Sequence, residues 1–350
     1  MEYNRLLKRQ IRRHLKGAPE IPEEFLPLLK AISDSFDHYE ADRNMIERSL
    51  EISSKELNTM NEKVRDALSQ IEEKNKSIMD SINYAKRIQE AILPSEEMVK
   101  ELLGDAFVLF RPKDIVSGDF YWITGAEDKV IFTASDCTGH GVPGAFMSMI
   151  SSALLTETTV EKGITAPHEI LNEVRKGIIT ALKQTGIEGE QRDGFDSAIC
   201  LFDKKTLEMS YAGANNSMFL IRNSQLPVRD LLQEENLSPT LIAEDGARLY
   251  EIKGNRQPVA LQMNMTEFTP KKIKVTSGDS IYITSDGYPD QFGGERGKKY
   301  MSKRFKNLLC TIHGHSMAEQ KRLLDKEMND WMGDAYEQVD DICVIGSRIK

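Results

Sequence analysis

The sequence predicts an α+β sandwich domain preceded by a long helical segment. Residues 38 to 92 carry almost no glycine or proline and repeat every seven positions. After Pro94 the texture changes to short β-rich runs in two clusters, with helix-like stretches inserted between them. Regular βαβ alternation is missing, which favours a sandwich over a doubly wound sheet. Four of the β-rich or motif segments place aspartate at the end of an apolar stretch.

The first element is a basic tip. Arg5, Lys8, Arg9, Arg12, Arg13 and Lys16 face only Glu2 there. The simplest reading is a solvated helical face with Leu6, Leu7, Ile11 and Leu15 on its inner side. Contact with a membrane surface or an acidic partner is the alternative. Gly17-Ala18-Pro19-Glu20-Ile21-Pro22 reads as a break before a second helix beginning near Glu23. Phe25, Leu28, Leu29 and Ile32 then fall at helical spacing as packing residues of a small cap.

In the heptad region Leu50, Leu57, Val64, Ile71, Ile78, Ala85 and Ile92 mark one seam. Ile46, Met60, Ala67 and Ile88 occupy companion positions, interrupted by Ser53, Lys74 and Ser81. Such a pattern predicts a coiled coil of modest stability and hence a homodimer. A single amphipathic helix packed on its own domain is the alternative. Pro94 closes the helix. The expected organisation is a basic helical segment over 1–37, a coiled-coil linker over 38–93 and a catalytic domain over 94–350.

Within that domain, strands are expected at 106–110, 130–134, 197–202, 218–221, 280–284 and 342–349. Helices are expected at 144–160, 167–184 and 317–332, with Pro143 suited to the first turn of the earliest. Residues 223 to 270 carry no clear pattern.

Composition narrows the function. A net charge of −9 argues against nucleic acid as the main partner. No apolar run approaches the roughly 20 residues needed to span a bilayer, and no apolar signal core follows the basic tip. Cys137, Cys200, Cys310 and Cys343 are widely spaced without a C-x-x-C pair. They suggest free thiols in a reducing compartment, the cytoplasm.

The chemistry lies in the aspartate segments. They read Val116-Ser117-Gly118-Asp119-Phe120-Tyr121-Trp122, Ala134-Ser135-Asp136-Cys137-Thr138-Gly139-His140-Gly141, Ile283-Thr284-Ser285-Asp286-Gly287 and Val339-Asp340-Asp341-Ile342-Cys343-Val344. Each alone is ordinary turn chemistry. Together, carboxylates at strand ends are what a cluster of hard divalent cations requires.

These segments occur in the order of a known family. With Arg111-Pro112-Lys113-Asp114-Ile115, Val142-Pro143-Gly144-Ala145, Asp193-Gly194-Phe195-Asp196-Ser197-Ala198 and Tyr211-Ala212-Gly213-Ala214-Asn215-Asn216, the sequence resembles the metal-dependent protein phosphatases of the phosphatase-2C fold. The likeness is to their bacterial branch of sporulation phosphatases and sigma-factor regulators, and it covers residues 106–350. It implies two antiparallel sheets flanked by helices, with a dinuclear Mn²⁺ or Mg²⁺ site at one end.

Carried over to this sequence, the resemblance implies that Asp136 bridges both metals and the main-chain carbonyl of Cys137 completes one of them. Asp119, Asp286 and Asp340 serve the second, directly or through water. Asp341 supports the ligands beside the metals, and Asp196 and Asp193 lie where some members hold a weaker third ion. A thiol at Cys137 suggests sensitivity to oxidation. The family's phosphate-holding arginine has no counterpart, which leaves Arg111 and Lys113 as nearby candidates. His140 is either a loop-orienting residue or a general acid. Tyr121 and Trp122 read as core, and Phe292, Gly293 and Gly294 as a turn near the site.

The implied activity is hydrolysis of phosphoserine or phosphothreonine on a phosphorylated regulator, often of the anti-anti-sigma type, under control of the helical linker. A pseudophosphatase or scaffold that binds phosphorylated partners is the alternative. A metal hydrolase of small phosphoesters is a further one.

Overall fold

The computed structural model describes residues 2–15, 21–187, 192–223 and 226–350. Lys16 and the Gly17–Glu20 part of the expected break lie outside the described residues. The chain divides into two units, Met1–Met79 and Asp80–Lys350.

The first unit begins with α1 (Arg5–His14). Asn4 caps it, its side-chain oxygen accepting the Leu6 N–H at 2.8 Å. The Asn4 backbone N–H donates to Ser33 Oγ at 2.6 Å and its Nδ2 donates to Asp37 at 2.6 Å. These bonds hold α1 against the early turns of α2 (Leu26–Ile92). Leu7 is buried there, but Leu6 and Leu15 are exposed, so the inner face is narrower than the sequence suggested. Phe25 and Leu28, expected as packing residues, are exposed too, while Leu29 and Ile32 are half-buried.

Helix α2 runs unbroken through residue 38. Pro27 sits in its first turn, where a missing N–H costs nothing, and glycine is absent throughout. Pro94 stops it at Ile92. Leu50, Leu57, Val64, Ile71 and Ile78 are all half or more exposed.

The second unit takes in the last turns of α2 and then α3 (Glu96–Leu103), capped by Ser95. Next come β1 (Asp105–Arg111), β2 (Phe120–Ala126) and β3 (Lys129–Cys137). Two helices follow, α4 (Gly141–Thr156) and α5 (Pro167–Ala181). The chain continues with β4 (Phe195–Asp203), β5 (Glu208–Ala214) and β6 (Met218–Arg222). Short pairings form β7 (Arg229–Asp230), β8 (Glu235–Asn236) and β9 (Leu241–Ile242). After them lie β10 (Arg248–Ile252), β11 (Lys271–Lys274) and β12 (Ser280–Thr284), then the one-turn α6 (Gly287–Asp290). A hairpin of β13 (Phe292–Gly293) and β14 (Lys298–Lys299) leads into α7 (Ser302–Ile312), α8 (Met317–Met332) and β15 (Ile342–Arg348).

Two antiparallel sheets result among the described residues, ordered β1-β15-β12-β6-β10-β9 and β2-β3-β4-β5-β11-β7-β8. Side-chain alternation divides the core into three layers. Ala106 and Val108 of β1, Phe132 of β3, Ala198 and Cys200 of β4, Ile281 and Ile283 of β12 and Cys343 of β15 pack between the sheets. Phe107, Leu109, Tyr282 and Val344 turn the other way, onto Phe305 and Leu309 of α7 and Leu324 and Met328 of α8. Ile131, Ile199 and Ala212 meet Leu155 of α4 and Leu171, Val174 and Ile178 of α5. The central strands are buried on both faces, so they read as continuous apolar runs rather than alternating ones.

Candidate active site

The aspartates gather at one end of the sandwich because each terminates a strand. Asp119 immediately precedes β2, and Asp136 is the penultimate residue of β3. Asp196, near the start of β4, pairs directly with Asp136 in the antiparallel register. From the other sheet, Asp286 follows β12 at the head of α6, and Asp340 and Asp341 precede β15. The β12–β15 register sets Thr284 opposite Val344, which brings those two ends side by side.

Close backbone approaches make this possible. A Cβ on Gly118 would collide with the Gly139 carbonyl, and one on Gly287 with the Asp341 carbonyl. Only glycine lets these aspartate-bearing loops touch. Asp341 then fastens the loop before Asp119, its carboxylate accepting the N–H groups of Lys113 and Gly118, each at 2.7 Å. That carboxylate is thereby committed to loop support.

The electrostatics are those of crowded, desolvated carboxylates. Burial raises Asp119 well above the carboxylate range, and the charges of Asp341, Asp340 and Asp286 add to it. Asp136 is pushed up to about 11, first by burial, then by Asp119 and Asp286. Asp340 is raised as well, chiefly by burial, with Lys113 acting in the opposite sense. Asp196 rises to about 6 through burial, although Asn215 Nδ2 donates to it at 2.8 Å. Asp193 sits half-buried at the end of the loop before β4.

Such a cluster calls for compensating cations. The Oδ2 atom of Asp119 is buried without a hydrogen-bond partner among the described residues. Among those residues no group of three or more His, Cys, Asp or Glu is already arranged to hold a metal ion. The donor set nonetheless consists of hard oxygens, and water can complete the coordination of Mg²⁺ or Mn²⁺. The residues therefore fit such ions.

Several neighbours differ from the sequence reading. The Cys137 thiol is buried and its pKa raised by desolvation, Asp136 and Asp119, so it is a poor nucleophile. The expected oxidation sensitivity is not supported by that environment. Arg111 does not face the site: its Nη1 contacts Asp325 and Asn329 of α8, both at 2.9 Å. His140 is exposed and pairs with Asp114 at 3.0 Å, bridging the two loops around Gly118 and Gly139. Trp122 is core, and Tyr121 packs edge-on against Phe110 while its hydroxyl donates to the Pro94 carbonyl at 2.9 Å.

The sequence reading missed Gln89 and Ser285. Gln89, in the last turns of α2, is buried. Its side-chain nitrogen donates to the Ser117 carbonyl at 2.6 Å and to Ser148 Oγ at 2.9 Å, while its oxygen accepts the Ser117 N–H at 3.0 Å. Its only sequence signal is an amide lying beside an apolar seam. The Ser285 hydroxyl accepts the Cys343 N–H at 3.0 Å and acts on Asp119 in the sense opposite to burial, lowering its pKa.

Comparison with known proteins agrees with this architecture. Residues 126–350, more than half of the chain, match the family model of stage II sporulation protein E. The fold is similar to the SiaA-PP2C domain of Pseudomonas aeruginosa, with TM-score 0.65 and 27% identity over 79% of this chain and 98% of that one. It is also similar to the PP2C phosphatase domain, with a regulatory-domain fragment, of the cell fate determinant SpoIIE from Bacillus subtilis. That likeness has TM-score 0.52 and 16% identity over 70% of this chain and 63% of that one. No curated protein matches the sequence. No helix of the described residues is long and apolar enough to cross a membrane. With its two antiparallel sheets, its flanking helices and aspartates at the shared strand ends, the chain belongs to the stage II sporulation protein E family and has the PP2C phosphatase fold.

Proposed function

We propose that the chain is a metal-dependent phosphatase that hydrolyses phosphoserine or phosphothreonine on a signalling protein. The carrying observation is the convergence of Asp119, Asp136, Asp286 and Asp340 from both sheets, with a buried Asp119 oxygen left unpartnered. In this reading Asp136 and the Cys137 carbonyl hold one cation. Asp136 with Asp119, Asp286 and Asp340 holds a second, and Asp196 with Asp193 offers a weaker third place. Two bound Mn²⁺ or Mg²⁺ ions would supply an activated water and offset charge on the phosphoryl oxygens.

The chain's own residues do the positioning. Asp341 keeps the Lys113–Gly118 loop in place. The water oxygen bonds to phosphorus in line as the bond to the serine or threonine oxygen breaks, and that oxygen leaves with a proton. A phosphorylated regulator of the anti-anti-sigma type is the substrate class to which the family resemblance points. The four buried free thiols suit a reducing cytoplasm.

Control through the linker helix has its own support. Gln89 grips Ser117, two residues before Asp119, and Tyr121, two residues after it, grips Pro94. A shift of this helix end would therefore move Asp119. The exposed heptad seam supports a homodimer as the source of that shift.

The test is Mn²⁺-dependent hydrolysis of p-nitrophenyl phosphate by wild type and Asp286→Asn. The substitution is expected to cost on the order of 10³-fold or more. A wild type that neither binds Mn²⁺ nor turns over would instead favour a scaffold that binds phosphorylated partners.

A further inference from the structure

Five carboxylates, those of Asp119, Asp136, Asp286, Asp340 and Asp341, act on one another at the strand ends. Against two dications they leave one negative charge over, before a phosphate monoester brings roughly two more. Binding the substrate thus requires further cations close by. Arg111 is committed to Asp325, so it cannot be one.

Two lysines lie on segments that border the cluster. Their segments are fastened to the residues on either side of Asp340. The Lys113 backbone N–H donates to Asp341 Oδ1 at 2.7 Å, and the Lys113 side chain acts electrostatically on Asp340. On the other side, Gln291 opens the β13–β14 hairpin. Its Oε1 accepts the Val339 N–H at 3.0 Å, and its Nε2 donates to the Glu337 carbonyl at 2.9 Å. The Gly294 N–H donates to the Trp331 carbonyl of α8 at 2.8 Å, which seats the hairpin.

Lys299 lies on that hairpin, opposite Phe292 in the register. Its Nζ pairs with Asp290 at 2.7 Å and lies 6.0 Å from the Phe292 ring centroid. Asp290 closes the one-turn helix that begins at Asp286, its N–H donating to the Asp286 carbonyl at 3.0 Å. The Lys299 ammonium is within electrostatic reach of both Asp286 and Asp340. The ion pair with Asp290 is solvent-exposed and therefore weak, so an arriving dianion can draw the flexible side chain away from it.

We propose that Lys113 and Lys299 are the phosphate-anchoring residues of this protein, gripping the phosphoryl oxygens from the segments fastened at residues 341 and 339. This assignment rests on the phosphatase reading and adds the cations for which the sequence offered no arginine.

The experiment is calorimetric titration of inorganic phosphate into the Mn²⁺-loaded full-length protein, alongside p-nitrophenyl phosphate kinetics. Lys113→Ala and Lys299→Ala are each expected to weaken phosphate about tenfold and to raise KM by a similar factor, with kcat within about threefold. Lys299→Arg should recover most of the phosphate affinity, and Mn²⁺ affinity should stay within about twofold in every variant. Unchanged phosphate affinity in both alanine variants would overturn the assignment, as would a parallel loss of Mn²⁺. The two readings separate cleanly. Turnover with unmoved phosphate affinity keeps the phosphatase and removes the anchors. Lysine-dependent phosphate binding without wild-type turnover keeps the anchors and removes the hydrolase.

Discussion

Helices α8 and α2 show two ways in which an amphipathic helix can be supported. Helix α8 lays Leu324 and Met328 on the β-sheet beneath it, and both are fully buried. Helix α2 is far longer, yet its heptad residues Leu50, Leu57, Val64 and Ile71 stay exposed in the single chain. A helix draws most of its stability from burying its apolar face. The phosphatase unit therefore contains its own support, whereas the N-terminal unit leaves its heptad seam exposed.

The comparison breaks most sharply at the buried pair Arg222–Asp279. Both side chains are 2% exposed, and Arg222 Nε donates to Asp279 at 2.9 Å while Nη1 and Nη2 reach backbone carbonyls. Asp279→Ala would strand the guanidinium and is expected to cost about 3–5 kcal/mol. Denaturant melts should show that loss in the phosphatase unit, with the helical signal of residues 1–79 melting as before.

The next effect tests where the helix meets the catalytic unit. Gln89→Ala leaves the Ser117 N–H and carbonyl without their partners and is expected to destabilise by about 1–3 kcal/mol. It should also raise the Mn²⁺ concentration needed for half-maximal activity, read by metal titration of turnover. An unchanged metal requirement would confine Gln89 to packing.

A third outcome concerns pH. The folded-state pKa of Asp136, about 11, lies above its ordinary 3.8, so the folded metal-free protein holds a proton that the unfolded chain releases. Its stabilising contribution is complete below the ordinary value and is lost as pH rises toward the folded one, at up to about 1.4 kcal/mol per pH unit. Metal-free protein should thus melt at a higher temperature at pH 6 than at pH 8.5, and Asp136→Asn should flatten the trend. Mn²⁺ affinity should move oppositely, rising with pH as the carboxylates lose protons.

The smallest stability effect belongs to the seam. Leu57→Asp with Ile71→Asp should leave the phosphatase unit within about 0.5 kcal/mol, since exposed positions contribute little. Light scattering should meanwhile show the oligomer fall to a monomer. A wild type that is monomeric at high concentration would remove the dimer from the proposal.

Much of the catalytic unit was legible because burial on both sheet faces writes a plain signal. The runs around Val108, Phe132, Cys200, Leu220, Ile283 and Val344 all prove to be strands. The strands at Arg248–Ile252 and Lys271–Lys274 were missed because charged residues interrupt them. Among site residues, the aspartates stood out by their ordered motifs. Gln89 carries no local pattern, because it matters through its contact with Ser117, on a segment distant in sequence.

The sequence by itself determined the long helix, the most apolar strands and the aspartate motifs, since periodicity and strand-end motifs are local. Tertiary structure decided the rest. Two sheets had to pack face to face before Asp119 and Asp136 could meet Asp286 and Asp340. Only then did desolvation and mutual repulsion turn ordinary carboxylates into a cluster requiring cations. That same packing committed Arg111 to α8, paired Lys299 with Asp290 and locked Gln89 onto Ser117. Electrostatic and hydrogen-bond partners are set by distance in space, which spacing along the chain does not encode.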